Sequence, residues 1–335
     1  MGYQILPNAT FFTIAITAIF SALVVTLLVA QPAVQLLNAW KIGQPLRHAD
    51  APKLQELHHH KKNTPTMGGV FLGAVFILLG VFFLDFSHIS APIILLTYLA
   101  TALIGSVDDI QKLKGAGRGL CSRTKFLCQL FIACAIPLVI YFFDPSEFDF
   151  LFRNEGSSLL WTIPFFLFVF TGSSNAVNLT DGLDGLAASI TAIVSIGLLA
   201  VLLPRVETVQ DYNCTIALAL MIGTAAGFLW LNDYPAKVFM GDSGSLSYGA
   251  LFAVIAWMTR TEWVYALMGA VFVIEALSVI IQVASYRLRN GKRVFRCTPI
   301  HHHFQLSGYH ENCIVSRMRL ITVICVLLGL ILWRS

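Results

Sequence analysis

Ten long apolar runs constrain this chain more than any other feature of its sequence. Most of them approach the length of about 20 residues that a helix needs to cross a bilayer. Charged residues make up 12% of the chain, against about 25% in soluble domains. The sequence therefore predicts an all-α, polytopic integral membrane protein with about ten transmembrane helices. The runs cover approximately residues 11–37, 68–85, 91–107, 125–143, 158–174, 185–203, 213–231, 244–259, 263–286 and 315–333.

The basic residues predict how these spans are oriented. Four loops on one side of the membrane and the span ends beside them hold 18 of the 22 Lys and Arg residues, whereas the other side holds the remaining four together with eight acids. Since loops rich in Lys and Arg stay in the cytoplasm, both termini are expected on the outer side of the membrane. Residues 1–10 contain no Lys or Arg, so the first run is interpreted as a retained span and not as a cleaved signal peptide.

Residues 173–185, S-S-N-A-V-N-L-T-D-G-L-D-G, join two of the apolar runs and hold two aspartates. A carboxylate at the bilayer centre costs about 2.5–3.5 kcal/mol on insertion scales, so Asp181 and Asp184 are unlike ordinary span residues. Gly182 and Gly185 favour a break in the helix here. We predict a polar loop at the membrane surface, where Asn178 and the two aspartates meet a polar ligand.

Two further clusters, also on the predicted cytoplasmic side, carry carboxylates. Asp108 and Asp109 end the third run, where they suit a divalent cation or a catalytic base, or form a solvated helix end paired with Lys112. Asp242 lies between glycines in K-V-F-M-G-D-S-G-S, residues 237–245. Backbone N–H groups around that carboxylate suit a phosphate with a metal ion, and a simple helix N-cap is the alternative.

The last two clusters offer hydrogen-bond donors. Residues 61–69, K-K-N-T-P-T-M-G-G, present Lys61 and Thr66 to a phosphate, or merely cap a helix. His301–His303 lie in a basic loop, and consecutive histidines suit phosphate or sugar better than zinc. The histidines at 58–60 are interpreted as surface residues. Carboxylates with cations beside a bilayer predict Mg²⁺-dependent phosphoryl transfer from a soluble donor to a lipid.

These motifs resemble the polyprenyl-phosphate N-acetylhexosamine-1-phosphate transferases, and within them the bacterial phospho-N-acetylmuramoyl-pentapeptide transferase branch. The resemblance covers nearly the whole chain in order. It rests on T-P-T-M-G-G (64–69), V-D-D (107–109), N-x-x-D-G-L-D-G-L (178–186), F-M-G-D-S-G-S-L (239–246) and T-P-I-H-H-H-F (298–304). It implies one transmembrane transferase domain over residues 1–335, in the bacterial inner membrane, with its active site on the cytoplasmic face.

The resemblance also implies the reaction and the site residues. UDP-MurNAc-pentapeptide and undecaprenyl phosphate would give lipid I and UMP, with Mg²⁺ required. By motif position, Asp242 is the metal ligand, and Asp108, Asp109, Asp242 and His301 are catalytic, with Asp108 orienting or deprotonating the lipid phosphate. Phe239 would stack on uracil. The substrate-binding positions are Lys61, Thr66, Lys125, Asn178, Asp181, Asp184, Phe239, His302 and His303.

Several alternatives remain open from the sequence. A sister enzyme that uses UDP-GlcNAc is the runner-up, while a transporter is disfavoured because every polar cluster ends on one side of the membrane. Direct attack and a covalent intermediate both fit the motifs, as do a monomer and a homodimer, and no nucleic-acid partner is expected.

The chain departs from the family's usual residues beside two of these motifs. Asn63 replaces the Gly that commonly precedes T-P-T-M-G-G, and Gln305 replaces the usual Glu after H-H-H-F.

Overall fold

The computed structural model describes residues 8–39, 61, 64–114, 119–152 and 159–334. Thirteen α-helices and no β-strand occur in these ranges. The histidines at 58–60, Lys62 and Asn63 lie outside the described residues. The helices are α1 (Asn8–Ala39), α2 (Gly68–Phe83), α3 (Ser90–Lys114), α4 (Ser122–Phe143), α5 (Pro145–Phe152), α6 (Leu159–Thr180), α7 (Leu186–Leu202), α8 (Val209–Asn232), α9 (Asp242–Met258), α10 (Glu262–Met268), α11 (Ala270–Leu288), α12 (Ile300–Leu306) and α13 (Glu311–Arg334).

Eight helices of the described chain are long and apolar enough to cross a membrane, namely α1, α3, α4, α6, α7 with the turn that follows it, α8, α11 and α13. Helix α2 is apolar but has 16 residues, and α9 has 17. The prediction of an all-α, polytopic membrane protein is confirmed. The count of ten spans and the outward termini stay predictions.

Helix α9 is the centre of the bundle, because every one of its residues is buried. Helices α2, α3 and α6 pack against it. Small residues allow these crossings: a Cβ on Gly69 of α2 would lie 2.0 Å from the Gly244 nitrogen, and a Cβ on Gly249 would lie 2.5 Å from the Ser173 carbonyl oxygen. Helices in membranes commonly approach one another through such small residues. Three motif-bearing helices are thereby held against the helix that begins at Asp242.

The structure differs from the predicted runs and loops in three places. The ninth run, 263–286, is two helices, α10 and α11, which meet at Gly269, where the Gly269 N–H bonds the Tyr265 carbonyl at 2.7 Å. Glycine weakens a helix and accommodates such a break. A further short helix, α5, follows Asp144, whose carboxylate accepts hydrogen bonds from the Ser146 hydroxyl and the Glu147 N–H. The predicted loop around His301–His303 is also helical, as α12.

Candidate active site

Two of the sequence motifs are joined directly through their backbones. The Phe239 N–H donates to the Pro65 carbonyl at 2.8 Å, and the Gly68 N–H donates to the Phe239 carbonyl at 2.9 Å. The Gly69 N–H donates to the Met240 carbonyl at 2.8 Å. This short ladder fixes the chain before α2 to the chain before α9. It places Thr66, which is buried, and Phe239, which is half-buried, on adjoining segments.

Two glycines bring the aspartate motifs into contact. A Cβ on Gly105 of α3 would lie 2.3 Å from the Asp242 carbonyl carbon, so α3 crosses α9 at its first residue. Gly241 has a φ of 75°, which glycine adopts readily, and a Cβ there would lie 2.6 Å from Oδ2 of Asp109. The crossing places Asp108 and Asp109, one helical turn after Gly105, beside the N-terminus of α9.

Three carboxylates and two ammonium groups meet at this crossing. Nζ of Lys112 lies 2.5 Å from Asp108 Oδ2, 3.2 Å from Asp109 Oδ1 and 2.6 Å from Asp242 Oδ1. Nζ of Lys125, on α4, lies 2.5 Å from Asp242 Oδ2 and 3.2 Å from Asp108 Oδ2. All three aspartates are buried. We call these five residues the acidic cluster.

Backbone groups orient two of the carboxylates. Asp108 accepts a hydrogen bond from the Leu120 N–H at 2.7 Å, and Asp109 accepts the N–H groups of Asp242 and Ser243 at 3.3 and 3.2 Å. Asp109 therefore lies at the N-terminus of α9, where the helix dipole favours a negative charge. The carboxylates are held in place before any substrate arrives.

The donor set of the acidic cluster fits a divalent metal ion. One oxygen from each of Asp108, Asp109 and Asp242 lies within 4.8 Å of the others. Carboxylate oxygens are the protein ligands that Mg²⁺ prefers, and it commonly uses one or two of them together with substrate phosphates. Three carboxylates against two ammonium groups leave a net negative charge for such a cation.

The turn between α6 and α7 carries the D-G-L-D-G motif to the edge of the cluster. Nδ2 of Asn178 donates to the Ser245 hydroxyl at 2.9 Å, and that hydroxyl donates to the Gly241 carbonyl at 2.9 Å. Burial raises the pKa of Asp181 to about 7, and the negative charges of Asp242 and Asp109 add to the effect. Asp181 therefore gains a proton more readily than an exposed aspartate does.

Lys61 and Asp184 form a second charged group, completed by Glu311 at the start of α13. Nζ of Lys61 lies 2.7 Å from Asp184 Oδ1 and 2.6 Å from Glu311 Oε1, and all three side chains are buried. Glu311 Oε1 also accepts the Asp184 N–H at 2.7 Å, and Asp184 Oδ2 accepts the Ala236 N–H at 2.9 Å. These contacts tie four separate segments together beside the D-G-L-D-G turn.

The three consecutive histidines have different surroundings. His301 is buried, its Nδ1 lies 3.0 Å from Glu275 Oε2, and its Nε2 has no hydrogen-bond partner in the described part of the chain. A Cβ on Gly182 would lie 2.2 Å from that Nε2, so the ring packs against the D-G-L-D-G turn. Nδ1 of His302 lies 2.8 Å from Gln305 Oε1, and His303 Nδ1 accepts the Arg296 N–H at 3.1 Å.

Sequence comparison relates this chain to known proteins. The protein-family model described as glycosyl transferase family 4 matches residues 91–260. The sequence signature described as phospho-N-acetylmuramoyl-pentapeptide-transferase signature 1 matches residues 61–71. Several curated relatives carry the name phospho-N-acetylmuramoyl-pentapeptide-transferase. The one from Protochlamydia amoebophila is 36% identical over 94% of this chain and 92% of its own length. The relative from Thermodesulfovibrio yellowstonii is 36% identical over 98% of this chain and 95% of its own length. The relative from Francisella tularensis is 37% identical over 98% of this chain and 94% of its own length.

This chain belongs to the phospho-N-acetylmuramoyl-pentapeptide-transferase family. The family resemblance predicted from the motifs is therefore confirmed. The roles of the individual site residues in this transferase stay predictions, although the structure places Asp108, Asp109, Lys125 and Asp242 in one cluster and Asn178, Asp181, Asp184 and His301 around the adjoining turn.

Three residues that the structure adds to the candidate site were not among the predicted site residues. Lys112 contacts all three cluster aspartates, and its spacing of three and four residues from Asp109 and Asp108 was the available signal. Glu275 holds His301, and an acid inside an apolar run is itself a sign of function. Glu311 gave no comparable signal, because its partner Lys61 lies 250 residues away in the sequence.

Proposed function

We propose that this protein transfers phospho-MurNAc-pentapeptide from UDP-MurNAc-pentapeptide to undecaprenyl phosphate, giving lipid I and UMP. The observation that carries the proposal is the buried acidic cluster, which concentrates three carboxylates and two lysines at the end of the apolar helices. The relatives named for the muramoyl transfer align over nearly the whole chain, which favours this donor over UDP-GlcNAc.

The reaction exchanges one phosphorus–oxygen bond for another. An oxygen of the lipid phosphate attacks the β-phosphorus of the UDP conjugate, the bond from that phosphorus to the bridging oxygen breaks, and UMP departs with the bonding electrons. The ammonium groups of Lys112 and Lys125 neutralise the charge that accumulates on the phosphate oxygens. Both lysines are already positioned by carboxylates, so little reorganisation is needed when the phosphates bind.

Asp108 is the residue that orients or deprotonates the lipid phosphate. Its Oδ1 accepts the Leu120 N–H and its Oδ2 lies near both lysines. A carboxylate held on both oxygens suits a positioned base better than a nucleophile that must leave its partners to form a bond. This arrangement favours direct attack by the lipid phosphate over a covalent enzyme intermediate.

We also propose that the transfer depends on Mg²⁺, with Asp242 as the principal ligand and Asp108 and Asp109 within reach of the same ion. When bound, Mg²⁺ would supply positive charge that stabilises the phosphate oxygens during transfer.

An apolar groove suits the polyprenyl chain of the acceptor. It has a volume of about 370 Å³ and lies between α3 and α4, where it is lined by Ile104, Thr124, Leu127, Cys128, Phe131 and Ile132. Thr124 precedes Lys125, whose ammonium group belongs to the acidic cluster. A lipid chain in this groove would therefore bring its phosphate to Lys125 and Asp108 from the membrane side.

The donor would reach the cluster from water. Phe239 offers an aromatic face for uracil, and the D-G-L-D-G turn with His301 offers polar groups for the sugar and diphosphate. Lys61 and Asp184 support this region through their mutual ion pair. We place the site on the cytoplasmic face of a bacterial inner membrane, in a single transmembrane domain over residues 1–335, as the basic loops indicate. A homodimer also stays a proposal.

The test is UMP release by the purified protein with undecaprenyl phosphate and Mg²⁺, with UDP-MurNAc-pentapeptide and UDP-GlcNAc supplied in parallel reactions. We expect release with the muramoyl donor alone. Release with UDP-GlcNAc alone would move the protein to the sister reaction. If neither donor gives UMP release, and a thermal unfolding transition shows that the protein is folded, a transferase function is contradicted.

A further inference from the structure

A polar cavity lies at the end of the bundle opposite the acidic cluster. Helix α9 has 17 residues and begins at Asp242, so its other end, Met258, lies about 25 Å away. The cavity has a volume of about 450 Å³, within the range of about 300–1,000 Å³ that is usual for small-molecule sites. Gln210 lines it together with the ionisable residues His88, Glu147, Arg205, Glu207, Asp211 and Arg260. We call it the distal cavity.

Gln210 gives the distal cavity a buried acceptor without a partner. Its side chain is 5% exposed, and its Nε2 donates to Glu147 Oε1 at 2.7 Å and to the Met258 carbonyl at 3.1 Å. Because both of these partners are acceptors, the orientation of the amide is fixed. Its Oε1 has no hydrogen-bond partner among the described residues. A buried acceptor of this kind requires a donor from elsewhere.

Glu147 adds a second acceptor to the distal cavity, and its carboxylate favours a donor that carries a positive charge. Its carboxylate lines the same cavity next to Gln210. Burial raises the pKa of Glu147, and the hydrogen bond from Gln210 offsets only part of that effect. An N–H-bearing cation placed between Glu147 and Gln210 Oε1 would satisfy the acceptor and stabilise the carboxylate.

Arg260 presents the opposite charge on the same cavity. Its backbone φ of 56° is unusual for a residue with a side chain. Its guanidinium donates to the Phe150 carbonyl and lies over the rings of Phe150 and Trp257, at 5.3 and 5.8 Å from their centroids. Its Nε is buried with no partner in the described ranges. Arg205, over the Trp333 ring at 4.8 Å, adds a second cation.

The aromatic neighbours indicate where a ligand comes from. Trp257 and Trp333 lie near the ends of α9 and α13, and tryptophan is enriched where membrane spans meet water. The lining thus combines an anion-binding guanidinium with a cation-binding acceptor pair, and its two arginines lie over tryptophans of the kind found at the membrane–water boundary. We propose that the distal cavity binds a phosphatidylethanolamine headgroup, with its phosphate on Arg260 and its primary ammonium between Glu147 and Gln210. This proposal does not depend on the transfer reaction.

The experiment compares ligands that each lack one part of this chemistry. Delipidated protein is titrated with short-chain phosphatidylethanolamine, phosphatidylcholine and phosphatidylglycerol, and with soluble phosphoethanolamine, and is followed by native mass spectrometry and thermal unfolding. Phosphatidylcholine carries no N–H and phosphatidylglycerol no cation, so both are expected to bind at least about tenfold more weakly. Equal binding of the three lipids, or binding of soluble phosphoethanolamine as tight as that of the lipid, would overturn the assignment.

Two variants and a control test the residues. Arg260→Gly removes the guanidinium at a position whose φ glycine adopts readily, and Gln210→Leu removes the unpartnered acceptor. Each is expected to weaken phosphatidylethanolamine binding at least about tenfold. Arg287→Ala, which removes an exposed cation on α11, should bind like the wild type. If Gln210→Leu does not fold, Arg260→Gly decides the matter, and unchanged binding by that variant would overturn the proposal.

Discussion

The ammonium group of Lys112 lies 2.6 Å from a carboxylate oxygen of Asp242, across 130 residues of sequence. The same ammonium contacts Asp108 and Asp109, so one lysine joins all three carboxylates of the acidic cluster. A cation in this position has two effects that oppose each other. It stabilises the carboxylates before substrate binds, and it competes with a metal ion for them.

Lys112→Met should separate these two effects. Without the ammonium the three carboxylates repel one another more, so Mn²⁺, used as a spectroscopic substitute for Mg²⁺, should bind more tightly. Transfer should nevertheless fall by about 100-fold or more, because a positioned charge on the phosphate oxygens is lost. Electron paramagnetic resonance measures the metal affinity and UMP release measures the transfer. Lys114→Met, at an exposed position on the same helix, is the matched control. Weaker Mn²⁺ binding by Lys112→Met would contradict this account.

Glu311→Ala should impair the donor site more than the lipid site. The substitution removes the charge-assisted hydrogen bonds to Lys61 and to the Asp184 N–H, each worth about 1.5–3 kcal/mol. We expect a lower unfolding temperature and a higher KM for UDP-MurNAc-pentapeptide, with the KM for undecaprenyl phosphate unchanged. Glu311→Gln should recover part of the donor KM, whereas Asn312→Ala, at the exposed neighbouring position, should behave as the wild type. Equal effects on both KM values would show that Glu311 has a general structural role.

Gly105→Ala tests whether the helix crossing builds the site. The new Cβ would lie 2.3 Å from the carbonyl carbon of Asp242, so α3 and α9 must separate and the three carboxylates must move apart. We expect at least about a 100-fold loss of transfer, since small misplacements of reacting groups have effects of that size. Gly172→Ala on α6 is the control, because its Cβ would meet nothing within 4 Å and alanine favours a helix. Normal transfer by Gly105→Ala would refute the crossing as the device that positions Asp242.

Asp181 should make the stability of the metal-free protein depend on pH. Burial raises its pKa from the ordinary 3.8 to about 7, so the folded state keeps the proton over a range in which the unfolded chain has released it. The stability contributed by this group therefore falls as pH rises from about 4 to about 7 and is constant above that. Asp181→Asn resembles the protonated form. In EDTA its unfolding temperature should exceed that of the wild type at pH 8, and the two should converge towards pH 4. Parallel curves would show that Asp181 titrates normally.

Local features of the site could be predicted from the sequence, whereas contacts between distant segments could not. The neighbours Asp108 and Asp109, with Lys112 one turn later, follow from helical spacing alone. Their contact with Asp242 depends on Gly105 and Gly241, which allow a close approach that no pattern within either motif specifies. The ion pair of Lys61 with Glu311 likewise exists only because the fold brings α13 to the D-G-L-D-G turn.

The helix count shows the same division between local and tertiary causes. Apolar length correctly predicted a polytopic bundle. The break at Gly269 escaped prediction because the residues on both sides are apolar, so composition continues across it. The helix at the three histidines was missed because their polarity resembles that of a loop, although His301 is buried against Glu275. In both places tertiary packing decides what local polarity leaves open.

The most direct test of the central claim is UMP release by Asp242→Asn with UDP-MurNAc-pentapeptide, undecaprenyl phosphate and Mg²⁺. The substitution preserves the shape of the side chain and removes one of the three charges that the acidic cluster offers to a cation. The account predicts no measurable release from a variant whose detergent elution and unfolding temperature resemble those of the wild type. Near-normal release would contradict the assignment of Asp242, and with it the acidic cluster as the site of transfer.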